Sequence, residues 1–406
     1  MADLLLAAVR GLIDDGVVLT GDYTLIDDTE LRAWLVLHGA SEESVSGGFL
    51  KSIVYDLAFA YRDGDPATPS CSAATGVYGL LRVLLTYRGA IMWKMNAGMG
   101  EIVFAPIYEA LRRRGVHFHF GHEVSRIDLQ QRKGDAVAKR IHFRKRAKQP
   151  PATLATLDIT SGALPGKLPF WPAEPDEKPE QAHSVQLNEH DMIVYGMPVG
   201  TIGAVVPDAP QPWLRCHREV ETVQTMALQL WLKEPVPRYA PWATPDITVG
   251  SYTEPFDTWA DLEVLAGERG KPAAALRSVA YFTNAAPNSM TQAQLKAFEQ
   301  QFVARGLTNL WPQFTTSMVL DSYGRLNDDS SERYTLSLPG TLKARLSPLD
   351  KSIANIRPVG DWTRNTISAG CIEAAVISGM IAALALRPDC ELEIFGEDSK
   401  TLAEKV

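Results

Sequence analysis

Residues 356–386 read IRPVGDWTRNTISAGCIEAAVISGMIAALAL. A short apolar run leads into Gly360-Asp361-Trp362; a polar loop, Gly370 and a run of small and apolar residues follow. The order is strand, turn, loop and helix N-terminus. It suits gripping a phosphate- or ribose-bearing cofactor. Glycine at 360 lets backbone approach closely, and the Asp361 carboxylate can accept from hydroxyls. Free N–H groups after Gly370 would point at whatever sits on the helix end. The plain alternative is a buried strand-turn-helix without a ligand, in which Asp361 only caps.

The segment resembles the C-terminal flavin motif of the FAD-dependent amine oxidase and phytoene desaturase superfamily. Gly360, Asp361, Trp362, Gly370, Ile372, Glu373, Ala374 and Gly379 fall on that pattern. The resemblance implies that Asp361 binds the ribityl or pyrophosphate region of FAD. It also implies that the backbone around Cys371 and Ile372 meets the flavin N1–C2=O edge, with Gly360, Trp362 and Gly370 shaping the same cofactor site. The family often has serine or an apolar residue at position 371. A thiol at a helix N-terminus would be acidified, but the resemblance gives it no chemistry, and Cys371 reads as a small packing residue.

A second block, residues 89–128, is similar to the family's glycine turn, helix, glycine and strand. Gly98-Met99-Gly100 opens a helix expected over Glu101–Arg114, and Gly115 closes it. Its packing face would be Ile102, Val103, Ile107, Tyr108 and Leu111. Arg112–Arg114 would oppose the helix dipole. Val116–Phe120 is expected to be a strand, and Val124 inherits from the resemblance a backbone contact with the adenine of FAD. Residues 190–199, HDMIVYGMPV, resemble the strand that returns into the family's FAD lobe.

One family feature is missing. The family opens with a strand, GxGxxG and a helix, with an acidic residue about 20 positions on. No GxGxxG occurs here; Gly98-Met99-Gly100 and Gly200-Thr201-Ile202-Gly203 come nearest and lack the spacing. The first ninety residues instead read as helices, over 2–16, after Asp28, over Phe49–Tyr61 and over Thr75–Tyr87. The chain therefore reads as starting where the family's first dinucleotide-binding section has ended.

The expected fold class is α/β (α+β). A FAD-binding lobe of the glutathione-reductase-like type, incomplete at its N-terminus, is interleaved with a sheet-plus-helices substrate lobe. The expected boundaries are a helical part of the substrate lobe over 1–88 and a FAD-lobe segment over 89–205. Residues 206–349 complete the substrate lobe, 350–390 form the C-terminal FAD segment and 391–406 a tail. Within the second segment, residues 149–182 form a proline-rich excursion, with seven prolines between Pro150 and Pro179. Strands are expected over Gln224–Lys233, Ile247–Tyr252 and Leu276–Thr283, and a helix over Thr291–Arg305.

The resemblance implies hydride transfer from a substrate C–H to flavin N5, with a small amine or amino acid favoured as substrate. A second polypeptide would supply the GxGxxG unit, so the chain is expected to be one subunit of a split FAD-dependent oxidoreductase. The alternatives are a non-catalytic structural or regulatory subunit of the same fold, or a truncated one-chain desaturase or oxidase. Trp93, Lys94, Tyr195 and Trp231 are candidates for the substrate face, because aromatics and a lysine sometimes line it in the family. Core packing, or a surface lysine, is the plain alternative for each.

Composition narrows the classes. At 406 residues the chain exceeds a typical single core. Its 46% hydrophobic and 22% charged content is that of a soluble globular protein. A net charge of −8 argues against a nucleic-acid partner. Cys71, Cys216, Cys371 and Cys390 lie far apart and fit a reducing cytoplasm. The run Ala374–Leu386 is too short to span a bilayer, and no basic amphipathic helix argues for membrane docking. His117, His119 and His122 lack a carboxylate or cysteine at ligand spacing and read as exposed strand histidines rather than a metal site. The basic run Arg140–Lys148 reads as a solvated hairpin edge.

Overall fold

Leu4, Ala7, Gly11 and Leu12 form the buried stripe of the first helix, α1 (Ala2–Asp14). Their spacing of three, four and one residues is that of one helix face. The computed structural model of the protein describes residues 2–397 apart from 88, 91–92, 94, 96, 133–134, 147–155, 160–165, 170–179, 245–246, 251–254, 264–275, 391 and 395. Further helices follow: α2 (Val17–Thr20), α3 (Leu31–Leu37), α4 (Glu42–Ser46), α5 (Gly48–Leu50) and α6 (Ala73–Leu85). Glu30 caps α3 by accepting from the Arg32 and Ala33 amides, and Ser41 caps α4.

The helix expected over Phe49–Tyr61 is shorter. After α5 the chain runs as a π-helical stretch, Lys51–Asp56, and turns at Phe59, whose φ is 47°. A polar cluster accounts for the break. Asp56 is buried and accepts from the Tyr61 hydroxyl, while Lys51 Nζ donates to the buried Asp257 at 2.9 Å. Bringing these groups together fixes the chain where a regular helix would carry Asp56 elsewhere.

The second expected block is also altered. A π-helical turn, Gly100–Phe104, leads into α7 (Ala105–Arg113). Ala105 and Tyr108 are its buried residues, whereas Ile107 and Leu111 are exposed, so the packing face differs from the expected one. Val116–Phe120 is not a strand. Among the described residues it has no neighbouring strand to bond, and strand conformation depends on such a neighbour.

Three sheets matter for the site. The first is antiparallel in the order β1 (His122–Arg132), β2 (Asp135–Lys145), β5 (Gln181–Gln186). The basic run starting at Arg140 therefore lies on a middle strand rather than an edge. Most of the proline-rich excursion lies outside the described residues, apart from a hairpin of β3 (Thr156–Ile159) and β4 (Gly166–Pro169). The second sheet pairs β6 (Ile193–Tyr195) with β13 (Ile356–Pro358) in parallel. The third holds β7 (Thr222–Leu232), β8 (Thr248–Gly250), β9 (Thr258–Asp261), β10 (Ser278–Ala286), β11 (Val319–Asn327) and β12 (Tyr334–Thr335). The other helices are α8 (Ile202–Val205), α9 (Gln211–Glu219), α10 (Gln292–Gln301), α11 (Leu307–Leu310) and α12 (Ile372–Leu386).

Alternation along β7 buries Met226, Leu228, Leu230 and Leu232 in one core. Trp311 is fully buried there, among Tyr239, Trp259, Phe282 and Phe314. Its indole N–H has no hydrogen-bond partner among the described residues, so shape and area hold it rather than polarity. Trp311→Ala should lower unfolding stability by about 3–5 kcal/mol. Trp311→Phe, which removes the unpartnered N–H, should cost less. Urea denaturation of both variants checks this, and equal losses would show that the indole N–H matters more than its volume.

Candidate active site

β13 ends at Pro358, and Gly360 follows with φ 135°. A Cβ at Gly360 would lie 2.6 Å from Trp362 Nε1, so only glycine fits. Trp362 is buried, and its Nε1 donates to the Met197 carbonyl at 3.1 Å. That bond pins the turn to the chain leaving β6. The Gly360 N–H donates to Ser378 Oγ on α12 at 3.0 Å. Thr363 Oγ1 donates to the Gly360 carbonyl at 2.8 Å and lies 2.7 Å from Ser378 Oγ. Turn and helix thus form one hydrogen-bonded unit.

Asp361 is half-buried in that turn. Burial pushes its carboxyl above the ordinary 3.8, opposed by Arg345 and by the Trp362 amide. Arg345 is 2% exposed and donates to the Asp361 carbonyl at 3.0 Å, the Leu336 carbonyl at 3.0 Å and Ser337 Oγ at 3.1 Å. Burial pulls its pKa down while the neighbouring Asp361 raises it. No motif flagged Arg345, because a lone arginine in a loop carries no sequence signal.

Cys371 caps α12, its Sγ accepting from the Ala374 amide at 3.4 Å. The acidified thiol expected from the helix end does not occur. Burial outweighs the dipole and pushes Cys371 up to about 11. The Ile372 and Glu373 amides make no hydrogen bond within the described residues. They are the unsatisfied donors that every helix start presents.

Gly370 precedes the cap. A Cβ there would meet the Tyr334 ring at 2.4 Å. The Tyr334 hydroxyl donates to the Gly370 carbonyl at 2.9 Å. Gly370, Cys371 and Tyr334 border a cavity of about 520 Å³. α6 and the π-helical stretch form its far walls. Its volume lies in the range of small-molecule sites, roughly 300–1,000 Å³.

These groups fit FAD. A half-buried carboxylate can accept from ribityl hydroxyls, and the free amides at α12 can donate to a carbonyl edge.

The other expected site residues lie in different places. Val124 sits on β1 opposite Phe143 and packs against the core that contains Trp362 and Tyr195. Tyr195 is buried on β6, with its hydroxyl 2.7 Å from Thr201 Oγ1 and its ring edge-on to Trp213 and Trp362. It packs the turn and does not border the cavity. Trp231 is half-buried on β7, opposite the face of Leu230 and Leu232. Trp93 is 77% exposed, and Lys94 lies outside the described residues. The structure therefore gathers Gly360, Asp361, Trp362, Gly370, Cys371 and Ile372; of the described substrate candidates, Tyr195 packs on Trp362, and Trp93 and Trp231 do not border the cavity. Among the described residues no helix is long and apolar enough to cross a membrane.

No family model matches the sequence, and no curated protein does. Solved structures do share the fold. An oxidoreductase from Methanosarcina mazei matches with a TM-score of 0.51 and 11% identity, over 90% of this chain and 70% of its own. Cyclohexylamine oxidase from Brevibacterium oxydans matches with a TM-score of 0.52 and 13% identity, over 94% of this chain and 75% of its own. The chain thus has a mixed helix-and-sheet fold of the kind those oxidoreductases adopt. At such identities the likeness carries the fold and nothing finer.

Asp361 has a pH signature in the cofactor-free chain. Its folded pKa is raised, so the protonated form favours folding. That stability is full below about pH 4, the unfolded value, and is lost as pH rises through the raised folded value. The urea midpoint of the wild type relative to Asp361→Asn should therefore fall across that window and level off above it. A pH-independent difference would remove the buried, charge-penalised carboxyl.

Proposed function

We propose that the chain is the larger subunit of a split FAD-dependent oxidoreductase. The observation that carries this reading is the hydrogen-bonded turn and helix end, Gly360 to Ile372, opening on a cavity of about 520 Å³. FAD, when bound, supplies the chemistry by accepting a hydride at N5 from a substrate C–H.

The chain's own residues bind and position. Asp361 would hold the ribityl hydroxyls, and Gly360 would let the backbone come close. The Ile372 and Glu373 amides would donate to the edge of the ring where negative charge gathers on reduction. Tyr334 holds Gly370 in place, and with it the direction in which those amides point.

The partner is a second polypeptide carrying a GxGxxG unit. Its support is the β6–β13 pair. Parallel sheets are normally large and covered on both faces. Here two strands of three residues each stand alone among the described residues. Among the described residues β6 has no neighbour on its outer edge, and Met192 and Val194 are exposed beside it. A parallel strand from the partner would pair that edge and cover those side chains.

Co-expression with the neighbouring genes, followed by mass and visible absorption of the purified material, tests the reading. A yellow complex with a second chain bearing GxGxxG is expected, and stoichiometric FAD in this chain alone would count against the split. In the yellow assembly, Asp361→Ala should weaken FAD retention by about 2 kcal/mol, roughly thirtyfold, with an unchanged far-ultraviolet circular dichroism spectrum. Unchanged flavin content in that variant would remove Asp361 from the site.

A further inference from the structure

The described walls of the cavity carry no charge. None of the described residues that border it is Asp, Glu, Lys, Arg or His. Its surface is mostly carbon, supplied by α6, the π-helical stretch and Phe49. An ammonium or carboxylate bound there would have no counter-ion among the described wall residues, and burying an unpaired charge is strongly unfavourable.

The shape is elongated. Wall residues on α6 run from Thr75 to Leu84, a span of about 13 Å at 1.5 Å per residue. Midway, Gly79 leaves a gap, because a Cβ built there meets no heavy atom within 4 Å. The rim includes Ile53, Leu57, Val83 and Leu84, all exposed in part. An apolar entrance of this kind admits hydrocarbon.

One wall residue carries a buried hydroxyl without a partner. Thr75 is 8% exposed, and its Oγ1 has no hydrogen-bond partner. Buried hydroxyls are normally satisfied, and because Thr75 is a wall residue an occupant that reaches its hydroxyl would satisfy it.

We propose that this cavity is the substrate chamber and takes an uncharged molecule with an extended hydrocarbon body and a single hydrogen-bonding oxygen, which Thr75 Oγ1 engages. The chamber ends at Gly370 and Cys371, where the proposed function puts the flavin edge, so the chamber's role in turnover rests on that function. The binding does not. The geometry disfavours the small amine or amino acid expected from sequence, since neither would find a counter-charge.

The test uses the full chain and all-trans-retinol, a neutral polyene alcohol whose fluorescence reports binding. Saturable one-to-one binding is expected. Decan-1-ol should displace the probe, and decylammonium should do so at least about tenfold less well. Gly79→Leu fills the gap and replaces a helix-interior glycine, so it should abolish saturable binding without lowering the melting temperature. Thr75→Val should weaken decan-1-ol by about fivefold and leave 1-bromodecane unchanged.

No saturable binding to the wild type would overturn the proposal. So would equal displacement by decylammonium, or undiminished binding to Gly79→Leu, which would put the probe on the outer surface. Should Gly79→Leu fail to fold, Ile53→Trp narrows the entrance at the rim and should abolish saturable binding in its place; undiminished binding there would overturn the proposal equally. A yellow complex whose chain ignores retinol would sink the chamber and leave the flavin reading standing. Retinol binding by a chain that takes up no flavin with any partner would do the reverse.

Discussion

A buried guanidinium anchors the rest. Arg345 is desolvated, and three of its hydrogen bonds go to neutral oxygens of Leu336, Ser337 and Asp361. Carbonyls lower the cost of burying that charge but do not cancel it. Further compensation comes through space from the groups around it, Cys216, Asp361, Tyr334 and Asp27. The same proximity keeps Asp361 from rising further than burial would carry it. A single arginine therefore fixes the backbone of the turn and helps hold its carboxylate anionic. Substituting Asp361 would touch both the proposed cofactor and this internal charge balance.

Some of this was legible in the sequence. The string from Ile356 to Leu386 reads as strand, turn and helix because each step has a local cause. Gly360 needs its φ, Ser378 and Thr363 close the turn, and a helix of apolar residues on all sides must be buried over most of its surface. The alternation of β7 was equally plain, since a half-buried strand writes its register every second residue. Other parts had no local signal. Tyr334 sits on a strand of two residues, and only the folded chain shows that its ring fills the space beside Gly370. Asn355 bonds Ala138 through both ends of its amide and reaches the Asp191 carbonyl, tying β2 to the β6–β13 pair. One asparagine in a loop announces none of that.

The misread segments share a cause. Val116–Phe120 has the composition of a strand, but a strand is a property of two segments and here the second is absent from the described residues. The stretch Phe49–Tyr61 has helical composition, but the polar cluster around Asp56, Tyr61 and Lys51 draws it out of register. Tertiary constraint overrides propensity in both. The same logic bears on α12. Its Ile372 and Val376 are exposed, although the helix is apolar all round. The exposed edge of β6 and this exposed helix face are two places where, among the described residues, the fold offers backbone and carbon surface with nothing set against them.

The N-terminus of α12 divides two environments of opposite character. Behind it lie Asp361 and Arg345, a carboxylate and a guanidinium close enough to shift each other's titration. In front lies the cavity, with no charged wall among the described residues and one unpartnered hydroxyl. A molecule spanning that division must be polar and hydrogen-bonding at one end and flat or apolar at the other. A dinucleotide with an aromatic ring fits the description, with its ribityl hydroxyls toward Asp361 and its ring toward the cavity. The electrostatics then favour a reaction in which the substrate brings no charge of its own. Charge that develops on the ring would be met by the helix amides, the nearest donors, in a low-dielectric space where such donors act most strongly.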